Sequence, residues 1–257
     1  MKTLLGSGRA ATVSMSTNLK RDGKCKMEDI YTNVLKNDRL DEYPLFKKFC
    51  VLKEKGLRKE SFKALSSFID EAKEWDKDKQ QNFACWLFTL FEVSDNIHHL
   101  LVHPLEENLL KSILKEWIKK NPKEPRPYRW FGLFLQTEER IEYLNIAIEL
   151  GGKSEQLSLL KLIDIHFYSL WYSFHHISED LYLGSIEKDT KLISNIQQLN
   201  DKVECTQTRK NIDDEINYYR ELLNDWMMFK KEQKKDFVEW CKSNNKDYHW
   251  TNAYYYE

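Results

Sequence analysis

The residues best suited to metal chemistry lie in the segment HHLLVHP, which contains His98, His99 and His103. His99 and His103 are four residues apart, a spacing that puts two imidazoles on one helix face, as two ligands of a metal ion require. Pro104 begins or ends a helix at this point, however, and no glutamate follows His98 or His99 to complete an HExxH motif. We therefore expect surface or helix-end histidines and no bound metal. A metal-dependent enzyme using His98, His99 and His103 is the alternative.

The other histidines offer weak candidates for acid–base chemistry. His175 and His176 are adjacent, and neighbouring residues on a helix point about 100° apart, so the two rings cannot easily chelate one ion. His175 lies four residues after Trp171, which predicts a packed histidine near a helix end. His166 stands two residues from Asp164, but residues at that spacing on a helix do not face each other. We expect no catalytic pair here.

Motifs for nucleophilic or nucleotide chemistry do not occur in the sequence. There is no GxSxG, no P-loop and no GxGxxG. The five cysteines contain no CxxC pair and are widely scattered, at Cys25, Cys50, Cys85, Cys205 and Cys241. This pattern argues against a disulfide framework or a zinc ribbon and favours a reduced cytosol. The sequence therefore predicts a non-enzymatic cytoplasmic protein without a cofactor.

Charge is distributed unevenly along the chain. Residues 1–63 hold 15 Lys and Arg against 8 Asp and Glu, whereas the remainder holds 25 against 33. A nucleic-acid-binding protein is expected to be basic over its folded body, so we do not expect nucleic acid as the partner. An acidic body instead favours a basic protein partner, whose approach it would accelerate.

Specific residues follow from this charge distribution. The C-terminus, DYHWTNAYYYE, adds aromatic side chains of the kind that suit interfaces. We predict that a basic toxin or enzyme domain is contacted by the acidic clusters and by two of these aromatics, namely Glu179, Asp180, Glu187, Asp189, Asp213, Asp214, Glu215, Trp250 and Tyr254.

The elements that position these residues are predicted to be helices. Bulky apolar residues recur at helical spacing, for example at Phe83, Trp86, Leu87, Leu90 and Phe91. A second stripe comprises Ile163, Phe167, Leu170, Trp171 and Phe174. We find no run of alternating apolar and polar residues and no Asn-Gly turn, as β-hairpins would need. The chain is therefore predicted to be all-α.

The predicted helices and their ends follow from spacing, caps and glycines. Short connections favour antiparallel αα-hairpins. Asp76, Thr137 and Ser185 are predicted N-caps, and Gly56 and the pair 151–152 are predicted to end helices. We predict helices near residues 28–38, 44–55, 58–74, 78–94, 105–120, 126–135, 138–150, 154–177, 186–200 and 205–243.

The domain organisation is predicted to be simple. Residues 1–26 have only Leu4 and Leu5 as an apolar run and are expected to form a flexible arm. Residues 27–257 are expected to form one all-α domain that ends in a long helix and an aromatic tail. The longest apolar run, 83–91, is far short of the roughly 20 residues that span a bilayer, so no membrane segment is expected.

Residues 127–160, PYRWFGLFLQTEERIEYLNIAIELGGKSEQLSLL, resemble a tetratricopeptide repeat. The resemblance rests on a Trp-x-x-Leu step in the first helix and on apolar and small residues in the second, namely Trp130, Leu133, Leu144, Ala147, Glu149 and Leu150. The repeat's closing proline is replaced by Gly152, and the first helix is shorter than the usual period of 34 residues allows. The resemblance implies stacked helix pairs with small residues at their crossings, and an irregular α-bundle is the alternative.

The overall composition is similar to that of bacterial immunity proteins, which neutralise toxins by binding them. The similarity lies in an acidic body, 13% aromatic residues, abundant Lys, Asn, Ile and Tyr, and the lack of catalytic motifs. It implies stoichiometric toxin binding and assigns no individual residue. A general helical-repeat adaptor is the alternative within the class of binding proteins.

We predict that a chain beginning at Met27 melts at nearly the same temperature as the full chain. Residues 1–26 lack an apolar stripe, so their removal should expose no core. Thermal unfolding followed by circular dichroism measures the difference. A melting temperature many degrees lower would place the arm in the core.

Overall fold

The computed structural model describes residues 27–249. Of these, 76% lie in helices and 2% in strands, which confirms the predicted all-α fold. None of the helices within residues 27–249 is both long and apolar enough to cross a membrane. The predicted arm 1–26 and the predicted contact residues Trp250 and Tyr254 lie outside the described residues.

The helices follow one another through short turns. Turns of 3-10 helix lie at 38–42, 97–99, 152–154 and 177–179. The α-helices are α1 (Ile30–Leu35), α2 (Pro44–Glu54), α3 (Arg58–Lys73), α4 (Lys77–Glu92), α5 (His103–Leu105), α6 (Lys111–Lys120), α7 (Pro125–Phe134), α8 (Arg140–Gly151), α9 (Gln156–Phe174), α10 (Ile186–Asn200), α11 (Thr206–Lys231) and α12 (Phe237–Ser243). A π-helical turn, Glu106–Leu110, joins α5 to α6.

A two-residue parallel pairing is the one strand element of the described chain. β1 (Glu28–Asp29) pairs with β2 (Ser94–Asp95). Residues 28, 29 and 94 were predicted to lie in helices, since a pairing of two residues has no alternating pattern to detect.

The described residues cluster into two compact units, whereas the sequence predicted a single domain. The N-terminal unit comprises residues 27–162 and the C-terminal unit residues 163–249. The boundary falls within α9, which runs without interruption from Gln156 to Phe174.

The core of the N-terminal unit is built around aromatic rings. The ring of Phe83, on α4, lies 5.1 Å from that of Phe46 on α2 and 5.0 Å from that of Phe68 on α3. Tyr43 and Trp86 extend the cluster, with ring centres 5.3 Å apart. Such edge and tilted contacts add to the free energy of burying large apolar surfaces.

Helices α7 and α8 form the hairpin of the repeat-like stretch. They cross closely at Gly132, where a Cβ atom would lie 2.5 Å from Leu144 Cγ. Only glycine permits this approach without displacing Leu144. Ala147 on α8 is fully buried. Gly152 ends α8 with a φ of 59°, a conformation that glycine adopts without strain.

A buried ion cluster joins three elements of the N-terminal unit. The Arg129 guanidinium on α7 donates to Glu92 at the end of α4 (2.8 Å) and to Glu155 just before α9 (2.5 Å). Trp130 Nε1 also donates to Glu92 (2.7 Å), and Ser158 Oγ donates to Glu155 (2.9 Å). The Glu155 side chain is only 2% exposed. Each carboxylate is therefore paired with a charge and a further donor, which a buried ion requires.

The predicted helix 205–243 is wrong, because the chain turns between α11 and α12. Gln233 and Asp236 have positive φ angles of 53° and 68°, which a continuous helix cannot contain. The turn brings Phe237 back onto α11, 5.2 Å from Trp226 and 5.2 Å from Phe229 between ring centres. Burial of these rings outweighs the helical preference of the charged segment between them.

The predicted caps are confirmed in part. The Asp76 carboxylate accepts a hydrogen bond from Lys79 N (2.7 Å) at the start of α4. Ser185 is the N-cap of α10, although its side chain makes no capping bond. Thr137 is not the N-cap of α8, which is Glu139, but its hydroxyl accepts from Glu139 N (3.2 Å).

We predict that Arg129→Met destabilises the protein by about 3–5 kcal/mol. The substitution leaves the buried Glu155 carboxylate and the largely buried Glu92 carboxylate without their shared counterion. Urea unfolding followed by circular dichroism gives the change in free energy.

Lys191→Met is the matched control. It removes an exposed ion pair with Glu187 (2.7 Å) on α10, which should cost less than about 1 kcal/mol. Equal effects of the two substitutions would contradict a structural role for the Arg129 cluster.

Candidate protein-binding surface

A partly exposed aromatic stripe runs along α9. Tyr168, Trp171, Tyr172 and His175 follow the spacing i, i+3, i+4, i+7, which places them on one side of the helix. Trp171 stacks on Tyr168 (5.5 Å between ring centres) and on His175 (4.8 Å). Tyr168 is 61% exposed and Tyr172 is 55% exposed. Large aromatic side chains are thus held in a fixed array at the surface.

The stripe lies on a different side of α9 from the residues that build the core. Ile163, Phe167, Leu170 and Phe174 are buried. Because each helical residue advances by about 100°, the exposed stripe is centred roughly 120° away from the buried one. Phe167 and Phe174 pack on Tyr219 of α11, at 6.0 and 5.7 Å. These contacts position α9, so the exposed rings are not needed for packing within the C-terminal unit.

The loop after α9 extends this apolar surface. Leu183 N donates to Ser173 O (3.0 Å) and Leu181 N donates to His176 O (3.3 Å), so the loop lies against the end of α9. Leu181 and Leu183 are exposed, whereas Tyr182 between them turns inward. We use the name α9 surface for Tyr168, Trp171, Tyr172, His175, Leu181 and Leu183.

Tyr182 fixes the course of this loop. Its ring lies 5.1 Å from that of Phe174, and its hydroxyl donates to Asp189 (2.5 Å). Burial, followed by the hydrogen bond to Asp189, raises the pKa of Tyr182 well above its usual range. A Cβ at Gly184 would lie 2.2 Å from the Asp189 carboxylate, so the loop passes too close for any other residue.

The first group of predicted acidic contact residues is engaged mostly within the protein. Asp189 is 5% exposed, so its predicted role as a partner contact is wrong. The Asp180 carboxylate accepts from Asp236 N (3.0 Å) and Phe237 N (2.7 Å) and thereby holds the start of α12. Glu179 pairs with His176 (3.1 Å), and Glu187 with Lys191. Glu179, Asp180 and Glu187 remain exposed.

The second acidic group consists of three consecutive residues of α11, whose side chains point in different directions around the helix. Asp213 accepts from Gln197 (3.0 Å) and Asn200 (2.7 Å) and so ties α11 to α10. Asp214 is exposed. Glu215 is half-buried, and burial, followed by the nearby Asp164 carboxylate, raises its pKa to about 7. The three carboxylates therefore do not form one acidic face.

The histidines of the enzyme alternative do not form the predicted helical pair. His98 and His99 lie in a 3-10 turn and His103 begins α5, so His99 and His103 do not share one helix face. His99 Nδ1 lies 3.9 Å from the Asp29 carboxylate. Within residues 27–249, no three His, Cys, Asp or Glu side chains are grouped to hold a metal ion.

The Asp29 carboxylate is oriented by hydrogen bonds. It accepts from Tyr31 N (2.9 Å) and Asn96 Nδ2 (3.0 Å). Partial burial acts to raise its pKa, but the bonds from Asn96 and Tyr31 and the nearby imidazole of His99 hold the pKa below its ordinary value. This arrangement ties β1 to the turn after β2.

The described part of the aromatic C-terminus folds back on α11. Tyr248 is buried, and its hydroxyl donates to Asp225 on α11. Tyr218 donates to His249 O (3.4 Å). This portion therefore belongs to the core of the C-terminal unit.

Comparison of the chain with known protein families, curated proteins and solved structures gives no match. Functional inference therefore rests on the residues of this chain alone.

Sequence reasoning missed the two most exposed members of the α9 surface, Tyr168 and Tyr172. The available signal was a second aromatic stripe on a helix whose core stripe was already complete at Ile163, Phe167, Leu170 and Phe174. A helix with two apolar sides has one more than packing on a single neighbour requires.

We predict that Glu215→Gln stabilises the protein at pH 8 and has little effect at pH 4. The pKa of Glu215 is raised from 4.5 to about 7, so the stability that its neutral form contributes is complete below pH 4.5 and is lost as the pH rises through 7. Glutamine stays neutral, and the gain at pH 8 should be between ~1 and ~3 kcal/mol.

Urea unfolding at the two pH values measures this difference. Asp214→Asn, which removes an exposed carboxylate from the same helix, should show no comparable gain. A stabilisation by Glu215→Gln that is equal at both pH values would contradict the assigned protonation.

Proposed function

We propose that the C-terminal unit binds a basic protein domain stoichiometrically through the α9 surface, without catalysis. The observation that supports this proposal is the aromatic stripe of α9. Its large rings lie at the surface, where a solvated helix face normally carries polar residues. Exposed apolar patches of this kind commonly mark interaction sites.

The geometry of the α9 surface suits recognition by a protein groove. Anchors at i, i+3, i+4 and i+7 are the pattern with which a helix enters a hydrophobic groove of its partner. Tyr and Trp are enriched at the centres of such interfaces because each joins a large rigid area to a polar atom. Stacking of Trp171 between Tyr168 and His175 lowers the entropy lost on binding, since these rings are already ordered.

Charge supports a basic partner. Residues 163–249 contain 16 Asp and Glu against 12 Lys and Arg. Glu179 and Asp180 are exposed next to Leu181, at the edge of the α9 surface. The faces of exposed aromatic rings attract Arg and Lys as well. The acidic unit of a second copy would be repelled, whereas a basic domain would be attracted.

A toxin or other enzyme with a basic active site is the specific partner that we propose. Enzymes acting on nucleic acid carry basic clefts because they engage phosphates. A cytosolic protein that covers such a cleft acts as an immunity protein, in line with the composition of this chain. Free thiols at Cys50, Cys85 and Cys241 fit a cytosolic location. A helical adaptor is the second candidate, supported by the repeat-like α7–α8 hairpin.

We predict that replacing Tyr168 and Tyr172 together by Ala weakens partner binding at least ~100-fold with little change in melting temperature. Central aromatic anchors typically contribute 2 kcal/mol or more each, and these two are exposed in the free protein. The chain is co-expressed with the product of the neighbouring gene, and the dissociation constant is measured by biolayer interferometry.

Ile141→Ala is the control, since Ile141 is 44% exposed on α8 and lies in the other unit. It should leave the affinity unchanged. Equal losses for both variants, or concentration-dependent dimers of this chain that the tyrosine substitutions disrupt, would contradict the proposal.

A further inference from the structure

A cleft of about 330 Å³ opens between two helices of the N-terminal unit. The first turn of α4 and the last turns of α6 form its walls. Its floor includes Ile113 and Trp117, which are almost fully buried. Lysines from both helices, Lys77, Lys119 and Lys120, line the opening. Clefts of this volume hold small molecules.

These lysines are poorly neutralised. Lys120 lies 3.8 Å from Asp78 in an exposed, long pair. Within residues 27–249, no carboxylate lies within 4.0 Å of the amines of Lys77 or Lys119. An adjoining shallow depression shares Lys120 and adds Lys123. Its Glu124 is bound by Arg126 (2.7 Å), whose guanidinium also lies 5.2 Å above the Trp117 ring. The cleft is therefore lined by three lysines against the single carboxylate of Glu116, with Asp78 paired to Lys120 at its edge, so a small excess of positive charge remains.

The extent of the positive region limits the kind of anion. Asp78 and Glu116 stand beside the same lysines, so the basic surface is interrupted at its edges. An extended nucleic acid needs a continuous basic track along its phosphates. A compact anion with several charges instead fits a short cleft that is lined by lysines from two helices.

We propose that this lysine cleft binds a small phosphate-bearing ligand. Lys77, Lys119 and Lys120 contact the phosphate oxygens as mobile point charges, the usual role of lysine in phosphate binding. Gln81 also lines the cleft, and the small exposed parts of Ile113 and Trp117 offer an apolar contact to the ligand. This site belongs to the N-terminal unit and is independent of the α9 surface.

Titration of the full chain with inorganic pyrophosphate, followed by isothermal calorimetry, tests the proposal. We expect one saturable site per chain. Lys119→Gln combined with Lys120→Gln should weaken binding at least tenfold. Lys77→Gln provides an independent variant from the other wall and should also weaken binding.

The matched control is Lys234→Gln combined with Lys235→Gln. This pair is also adjacent and exposed, and its removal changes the net charge equally. It should leave pyrophosphate binding within twofold of the unaltered chain. Citrate, a compact carboxylate anion, should bind at least tenfold more weakly than pyrophosphate.

Three results would overturn the proposal. One is the lack of saturable pyrophosphate binding to the unaltered chain. Another is equal weakening by the two double substitutions, since that would indicate attraction to net charge alone. The third is citrate binding as tight as that of pyrophosphate, because the cleft would then not recognise phosphate.

Discussion

The paired burial of Arg129 with Glu92 and Glu155 is the constraint on which the N-terminal unit depends. One guanidinium joins the end of α4, the middle of α7 and the residue before α9. Glu155 also accepts from Ser158 and, through its carbonyl, from Leu159 N, so the same contact fixes the first turn of α9. A buried ion cluster adds little net stability compared with an apolar replacement, but it tolerates few alternative arrangements. We infer that it specifies where α9 begins.

Charged groups are buried in the N-terminal unit, whereas apolar groups of the α9 surface in the C-terminal unit are exposed to solvent. Burying Tyr168 or Tyr172 within the unit would have been favourable, since each large ring contributes roughly 1.5–3 kcal/mol when removed from solvent. The core side of α9 is already filled by Phe167 and Phe174 against Tyr219. The exposed rings are ordered by stacking and not by burial.

The sequence predicted helices well where one apolar stripe matched one buried face, as on α4. It failed at the 205–243 segment because the long-range packing of Phe237 on Trp226 and Phe229 decides where the helix ends. Acidic residues were interpreted as surface contacts from their charge alone. Asp189 is instead buried by its bond to Tyr182, and Asp180 holds the start of α12, which no local pattern reveals. The lysine cleft was also unpredictable, since Lys77 and Lys119 are distant in sequence and meet only through the packing of α4 on α6.

Hydrogen–deuterium exchange of the chain, alone and in complex with the protein encoded beside it, locates the binding surface. We expect slower exchange on binding at amides between residues 165 and 186, which contain the α9 surface and its loop. Amides of α2, α3 and α4 should be unchanged. Protection confined to the N-terminal unit, with the 165–186 segment unaffected, would contradict the assignment of partner binding to the α9 surface.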